Sequence, residues 1–346
     1  MKKLISARDV EELLRKGEDL RALPADALYT PAARDLLRDF QNNGSGPAPS
    51  PAGSDRSRPG DKAPASDVEK FFQSPEIHAF KEQICDVGRR LWQRAYVDGN
   101  GGNISIRVGE NRVLCSPTLI SKGFMKPEDI CLVDLEGKQL AGRRPATSEI
   151  RMHLAIMKAQ PKAKACVHCH PPYATGFAVA GVTPPTCMIP ELEVFIGEVP
   201  IAPYLTPGTW DMAQEVAKLS DTHNTILMAN HGGVSWSHNT VEDAYFKMEI
   251  LEAYCRTVLV TAQLGVEPKT FSPAQLKDLL VIKQKLGIPD RRIGLKEAEL
   301  CDNSEWRPGV TCTVHREPGA AVPPDAEAER IVQTITDLIA DKLGQG

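Results

Sequence analysis

The run Cys166-Val167-His168-Cys169-His170, closed by Pro171-Pro172, decides how this chain is read. A short apolar stretch stopped by two prolines predicts a β-strand. Alternate strand residues face one side, so His168 and His170 project together while Cys169 turns to the opposite side, into the core. Two imidazoles side by side make two corners of a metal site. A third ligand and an acid or base have to come from elsewhere in the chain.

The third corner is His231, in Ile226-Leu227-Met228-Ala229-Asn230-His231-Gly232-Gly233-Val234, where a buried strand ends in a polar residue and two glycines. The other histidines lack this setting: His78 and His153 fall on predicted helices, His223 and His238 in polar turns, His315 near the end. Three imidazoles with no obvious fourth cysteine predict a catalytic Zn²⁺ site with an open position, not a closed structural one. A candidate proton-transfer group is Glu149, in Pro145-Ala146-Thr147-Ser148-Glu149 ahead of the helical run Ile150, Leu154, Ile156, Met157. Thr147 or Ser148 suits a helix cap, and Glu149 then lies in the first turn, where a carboxylate favours the helix dipole. Capping alone would account for these residues. The helix leads within about twenty residues into the histidine strand, however, which makes Glu149 a catalytic candidate as well. His153, one turn on, is expected to be packed or supporting.

Asp98-Gly99-Asn100-Gly101-Gly102-Asn103 opens onto the alternating strand Ile104–Val108. It is compatible with an ordinary glycine turn or with a loop whose amides approach a ligand. Strand-like Val113-Leu114-Cys115 and Ile130-Cys131-Leu132-Val133 follow, separated by a loop over 116–123.

Composition bounds the rest. The chain has 346 residues, 42% of them hydrophobic, and a net charge of −4, so a sizeable core is available and nothing argues for nucleic acid. Its nine cysteines are scattered without a CxxC pair and are expected to be reduced thiols of a cytoplasmic protein. No signal peptide or membrane-spanning stretch is expected. Five regions are predicted. Residues 1–40 form a helical appendage, with helices starting at Ser6 and Thr30-Pro31. Residues 41–66 are a Gly/Ser/Pro/Ala-rich linker without enough apolar surface to order itself. A catalytic domain over 67–290 follows, with a helix start at Ser74-Pro75-Glu76. Residues 291–327 are a tail and second linker. Residues 328–346 form an amphipathic helix with Ile331, Ile335, Leu338, Ile339 and Leu343 on one face.

Gly102-Asn103-Ile104-Ser105, Thr147-Ser148-Glu149, His168-Cys169-His170 and Asn230-His231-Gly232, in this order and spacing, resemble the class II aldolase/adducin family over roughly 75–285. Within it the chain is most similar to the enzymes that split L-fuculose 1-phosphate and L-rhamnulose 1-phosphate. The resemblance implies an α/β fold with three layers (α/β/α), a central mixed sheet, and assembly as a homotetramer. It implies Zn²⁺ on His168, His170 and His231, acting as a Lewis acid on a phosphorylated ketose, with Glu149 as the base. Asn103, Thr118, Thr147 and Ser148 match positions that hold the substrate phosphate, and the products would be dihydroxyacetone phosphate and L-lactaldehyde. Two departures stand out. Leu119 follows Thr118 where the family often has glycine. No tyrosine follows Tyr254, which leaves the group that protonates the aldehyde oxygen unassigned, and Glu191 and Glu193 are candidates by location. Epimerases and dehydratases of the family share the same ligands, and a non-catalytic adducin-like assembly protein would lack them. The tethered tail resembles the encapsulation peptides that dock enzymes to bacterial microcompartment shells, which implies a shell-protein partner for 328–346 and a place in the microcompartment lumen.

Overall fold

The computed structural model describes residues 4–5, 28–29, 63–265, 268–296, 299–301, 303 and 306. The chain divides into two compact units, Met1–Lys62 and Ala63–Gly346. In the first, β1 (Leu4–Ile5) pairs in parallel with β2 (Leu28–Tyr29). The two helices expected within 1–40 lie outside the described residues, as does the expected amphipathic helix over 328–346.

The second unit begins with α1 (Ala65–Phe72), two residues inside the expected linker, and α2 (Pro75–Gln93). Ser74 caps α2 as its sequence implies, its Oγ accepting from Ile77 N at 3.4 Å with proline at the first helical position. An eight-stranded sheet then forms from β3 (Asn103–Gly109), β4 (Arg112–Cys115), β5 (Cys131–Val133), β6 (Gln139–Ala141), β7 (Ala165–Cys169), β8 (Ile201–Ala202), β9 (Thr225–Met228) and β10 (Gly232–Ser237). Its order is β6-β5-β4-β3-β7-β10-β9-β8, antiparallel except for the parallel β8–β9 pair. The mixed sheet of an α/β fold is thus present.

The histidine strand β7 lies near the middle, between β3 and β10, and all five of its residues are buried. A strand covered on both faces must be apolar throughout, and Ala165, Cys166, Val167 and Cys169 meet that demand. Val167 and Cys169 join the core layer built with α2, α4 (Pro172–Ala180) and α7 (Val241–Gln263). Cys166 joins the layer on the other face, with α3 (Ile150–Ala159) and α6 (Trp210–Leu219). Cys169 is therefore a core residue, as its alternation predicts.

Beyond α5 (Pro190–Phe195) and α8 (Pro273–Lys285), the structure departs from the sequence reading. Cys187 and Cys301 form a disulfide across 114 residues, which corrects the expectation that every cysteine is reduced. Trp306 stacks on Phe177 with ring centroids 5.5 Å apart, and Asn303 accepts from Thr186 N at 2.7 Å. The described residues just past 290 thus pack against the same unit as the sheet. Nearby, Arg292, Asp290, Lys283 and Glu193 form a buried charge network with ion pairs of 2.7–2.9 Å. Glu193 Oε1 also accepts from Cys187 N. This locks Glu193 into the scaffold at 0% exposure and removes it as a donor to substrate. Among the described residues no helix is long and apolar enough to cross a membrane.

Candidate metal centre and general base

His168 stands at the end of β7, opposite Asn103 of β3 on one side and Val234 of β10 on the other. Its Nδ1 donates to Gly233 O at 2.8 Å, which fixes the proton on Nδ1 and leaves the Nε2 lone pair free for a ligand. His170 follows just beyond the strand, its Nε2 3.1 Å from His168 Nε2. His231 sits in the β9–β10 turn, after Asn230, whose φ of 55° is the left-handed conformation asparagine tolerates. The three rings are 4.8–5.2 Å apart between centroids. Their ligand nitrogens lie within 4.8 Å of one another, and they form the only such group of three among the described residues. Three convergent imidazole nitrogens fit a divalent ion of the zinc type, with a position left for substrate.

Glycines shape this corner by letting backbone and rings touch. A Cβ on Gly232 would stand 2.5 Å from His170 Cδ2 and 2.6 Å from Cys169 O, and one on Gly101 would stand 3.1 Å from His170 Cε1. Gly232→Ala should therefore push the His170 ring from its place and lower metal affinity by about 10–100-fold, the cost typical of disturbing the support of a ligand. Metal titration of the apo variant against wild type checks this, and an unchanged affinity contradicts it.

Glu149 occupies the N-cap position of α3, which was expected at Thr147 or Ser148, and its side chain makes no capping hydrogen bond. Its carboxylate turns instead into the histidine cluster. Oε1 lies 3.4 Å from His231 Nε2, and Oε2 lies 3.4 Å from His168 Nε2 and accepts from Asn103 Nδ2 at 2.8 Å. Buried Oε1 has no hydrogen-bond partner, as does His231 Nδ1. Burial works against ionisation of Glu149, but the His168 and His231 rings and the Asn103 amide outweigh it and hold the carboxyl well below the usual range. A cation among the three nitrogens would act in the same direction.

Burial also lowers His170 and His231 to about 4, with the neighbouring His168 adding to the effect. Protons compete with metal for these nitrogens only near their own pKa. Bound metal should accordingly survive dialysis at pH 6 and leave as the pH falls toward 4. Loss that is complete by pH 6, as for ordinary histidines, would contradict the geometry.

The four expected phosphate residues are not all placed alike. Pro117 and Ala146 form a bridge, Thr118 N donates to Pro145 O, and Thr147 N donates to Ser116 O, so the loops carrying Thr118, Thr147 and Ser148 lie side by side. Thr147 is buried and Ser148 exposed. Asn103 donates one Nδ2 hydrogen to Glu149 Oε2 at 2.8 Å. Leu119 takes a φ of 55°, the conformation that glycine would hold without strain. His153 is buried with Nδ1 2.8 Å from Ser105 Oγ, a packed histidine. Sequence reasoning missed Asp98, whose Oδ1 lies 3.5 Å from His170 Nδ1 and orients that ring from the outer side. The signal was available: a carboxylate in a glycine loop that opens beside a metal-ligand strand.

The model of the class II aldolase and adducin N-terminal domain matches residues 82–259. A 3-oxo-tetronate 4-phosphate decarboxylase of Haemophilus influenzae is 33% identical over 205 residues, 58% of this chain and 96% of that protein. An L-fuculose phosphate aldolase of Methanococcus maripaludis is 37% identical over 170 residues, 49% of this chain and 91% of that protein. Among solved structures, YgbL of Klebsiella pneumoniae superposes with a TM-score of 0.54 at 29% identity, covering 58% of this chain and 97% of that one. An L-fuculose 1-phosphate aldolase superposes with a TM-score of 0.54 at 24% identity, covering 61% and 97%, and shares the fold. With half of its length matched to that domain, this chain belongs to the class II aldolase and adducin family.

Proposed function

We propose that this protein is a metal-dependent carbon–carbon lyase that splits a phosphorylated ketose, L-fuculose 1-phosphate or L-rhamnulose 1-phosphate, into dihydroxyacetone phosphate and L-lactaldehyde. The observation that carries the reading is Glu149, a buried carboxylate with one unpartnered oxygen, set 3.4 Å from two of three convergent imidazoles. His168, His170 and His231 would hold Zn²⁺, which when bound supplies Lewis-acid stabilisation of negative charge on the substrate oxygens. Glu149 is ionised at neutral pH, the form that accepts a proton. In the condensing direction it takes the proton from the carbon beside the ketone. In the cleaving direction the hydroxyl of the departing fragment gives up a proton as the carbon–carbon bond breaks, and Glu149, having taken up a proton in exchange, delivers it to the same carbon. Thr118, Thr147 and Ser148 hold the phosphate with hydroxyl donors, and Asn103 serves both the phosphate and the base. Assembly as a homotetramer is part of the proposal, and the exposed Leu119 and Phe124, in the segment that follows Thr118, suit burial against a second subunit.

The decarboxylase relative favours a second reading. Loss of carbon dioxide from a 3-oxo-tetronate 4-phosphate also leaves dihydroxyacetone phosphate. The retained fragment, the phosphate contacts and the delivery of a proton through Glu149 would thus be common to both reactions, the proton being drawn from solvent when carbon dioxide is lost. What differs is the departing fragment. An aldehyde leaves only if its hydroxyl gives up a proton, whereas carbon dioxide leaves from a carboxylate without one. The co-product therefore separates the readings. L-lactaldehyde from either ketose phosphate supports the aldolase, and carbon dioxide from 3-oxo-tetronate 4-phosphate with no cleavage of the ketoses replaces it with the decarboxylase.

A further inference from the structure

Four lysines are buried in the described residues, and three have an evident reason to be there. Lys247 pairs with Asp243, Lys283 with Asp290, and Lys81 lies 3.3 Å above the Phe72 ring. Lys122 is different. It is 1% exposed and makes no carboxylate ion pair among the described residues. Its ammonium instead donates to two backbone carbonyls, Asn100 O at 2.8 Å and Ile120 O at 2.7 Å. An ammonium withdrawn from water without a counter-ion is costly and persists only where something offsets it.

The two carbonyls belong to the two loops that frame the site. Asn100 lies in the loop that carries Asp98, Gly101 and Asn103, against His170 and Glu149. Ile120 lies in the loop of Thr118 and left-handed Leu119. The turn holding Lys122 is in turn pressed onto α2. A Cβ at Gly88 would stand 2.5 Å from Lys122 O, one at Gly123 would meet the Trp92 ring at 2.5 Å, and Phe124 packs edge-on against Trp92. The cation is thus held by rigid structure from behind and by both loops in front. Burial lowers its pKa to about 8, against the opposing pull of the Glu149 carboxylate. That carboxylate is already engaged by His168, His231 and Asn103.

The geometry points to Lys122 as the residue that sets the affinity of this site for a phosphate dianion, by tying the 98–103 and 117–121 loops around one fixed positive charge. The ammonium does not touch substrate. It is a positioning residue whose charge makes no carboxylate ion pair among the described residues and is available to an anion entering between the loops. The inference rests on the phosphorylated-substrate reading above and deepens it.

The test uses the full metal-loaded chain and titrates inorganic phosphate by calorimetry, alongside KM and kcat for the ketose phosphate. Lys122→Met removes charge and donors together. Lys122→Gln keeps amide donors for the carbonyls, is the variant more apt to fold, and isolates the charge. Loss of one fixed positive charge near the anion should weaken phosphate by about tenfold and raise KM by a similar factor. The kcat should change by less than about threefold and metal content should stay equal to wild type, since uniform binding is what is lost. A merely structural lysine would instead lower metal content and kcat with KM unmoved, and that result overturns the inference. So does a folded variant with unchanged phosphate affinity. If wild type cleaves the ketose phosphate but does not bind inorganic phosphate, the inference falls and the proposed function stands. If wild type does neither, both fall.

Discussion

Glu149→Gln should lower turnover by about 10²–10⁴-fold, the usual worth of a positioned general base, while the protein keeps its fold and its metal. Glutamine has nearly the same shape and still accepts from Asn103 Nδ2, so the packing around α3 has no reason to change. It cannot take a proton at neutral pH. Nor does it carry the charge that now lies 3.4 Å from His168 and His231. The loss should fall on kcat more than on KM, because the group acts on a reacting proton and not on the phosphate. Steady-state kinetics with metal analysis of the same sample checks this. Turnover within a few-fold of wild type would remove Glu149 from the chemistry and return it to a structural role at the start of α3.

Alanine at His231 and alanine at His168 should both abolish metal-dependent activity, but with different costs to the fold. His231 lies in a turn, with its side chain 15% exposed and Nδ1 without a partner. Its removal should cost metal affinity by about 10²-fold or more, beyond what a supporting residue costs, with little change in stability. His168 is fully buried in the central strand and donates to Gly233 O. Its truncation leaves a cavity and an unpaired carbonyl, so His168→Ala should also destabilise the protein by about 2–4 kcal/mol. Chemical denaturation of the two apo variants separates these outcomes. Equal stability would mean that His168 is not held in the sheet as described.

The parts of the site that were legible in the sequence are those with local signatures. His168 and His170 announce themselves by strand alternation and a proline stop, and His231 by a strand that ends in glycines. Glu149 stands ahead of a clear helical period. Cys169 was placed in the core by the same alternation and is found there. What escaped has no local pattern. The Cys187–Cys301 bond joins residues 114 apart with no spacing motif, and the Arg292, Asp290, Lys283 and Glu193 network is assembled from distant segments. Lys122 reads in sequence as an ordinary loop lysine. Its burial follows from the way α2, through Gly88, accepts the backbone of the turn. Leu119 shows the same limit from the other side. The missing glycine looked like a departure from the phosphate loop, yet the backbone adopts a left-handed φ of 55° there regardless. The cap of α3 was read one or two residues early because Thr147 and Ser148 are good capping types, whereas Glu149 takes the position with its side chain turned away to the histidines.

The most direct test of the account is anomalous diffraction from crystals of the zinc-loaded full-length protein, recorded on both sides of the zinc edge. The account predicts one strong peak, about 2.0–2.1 Å from Nε2 of His168, His170 and His231, with the Glu149 carboxylate beside it. A peak held by other residues, or none at these three nitrogens, would contradict it.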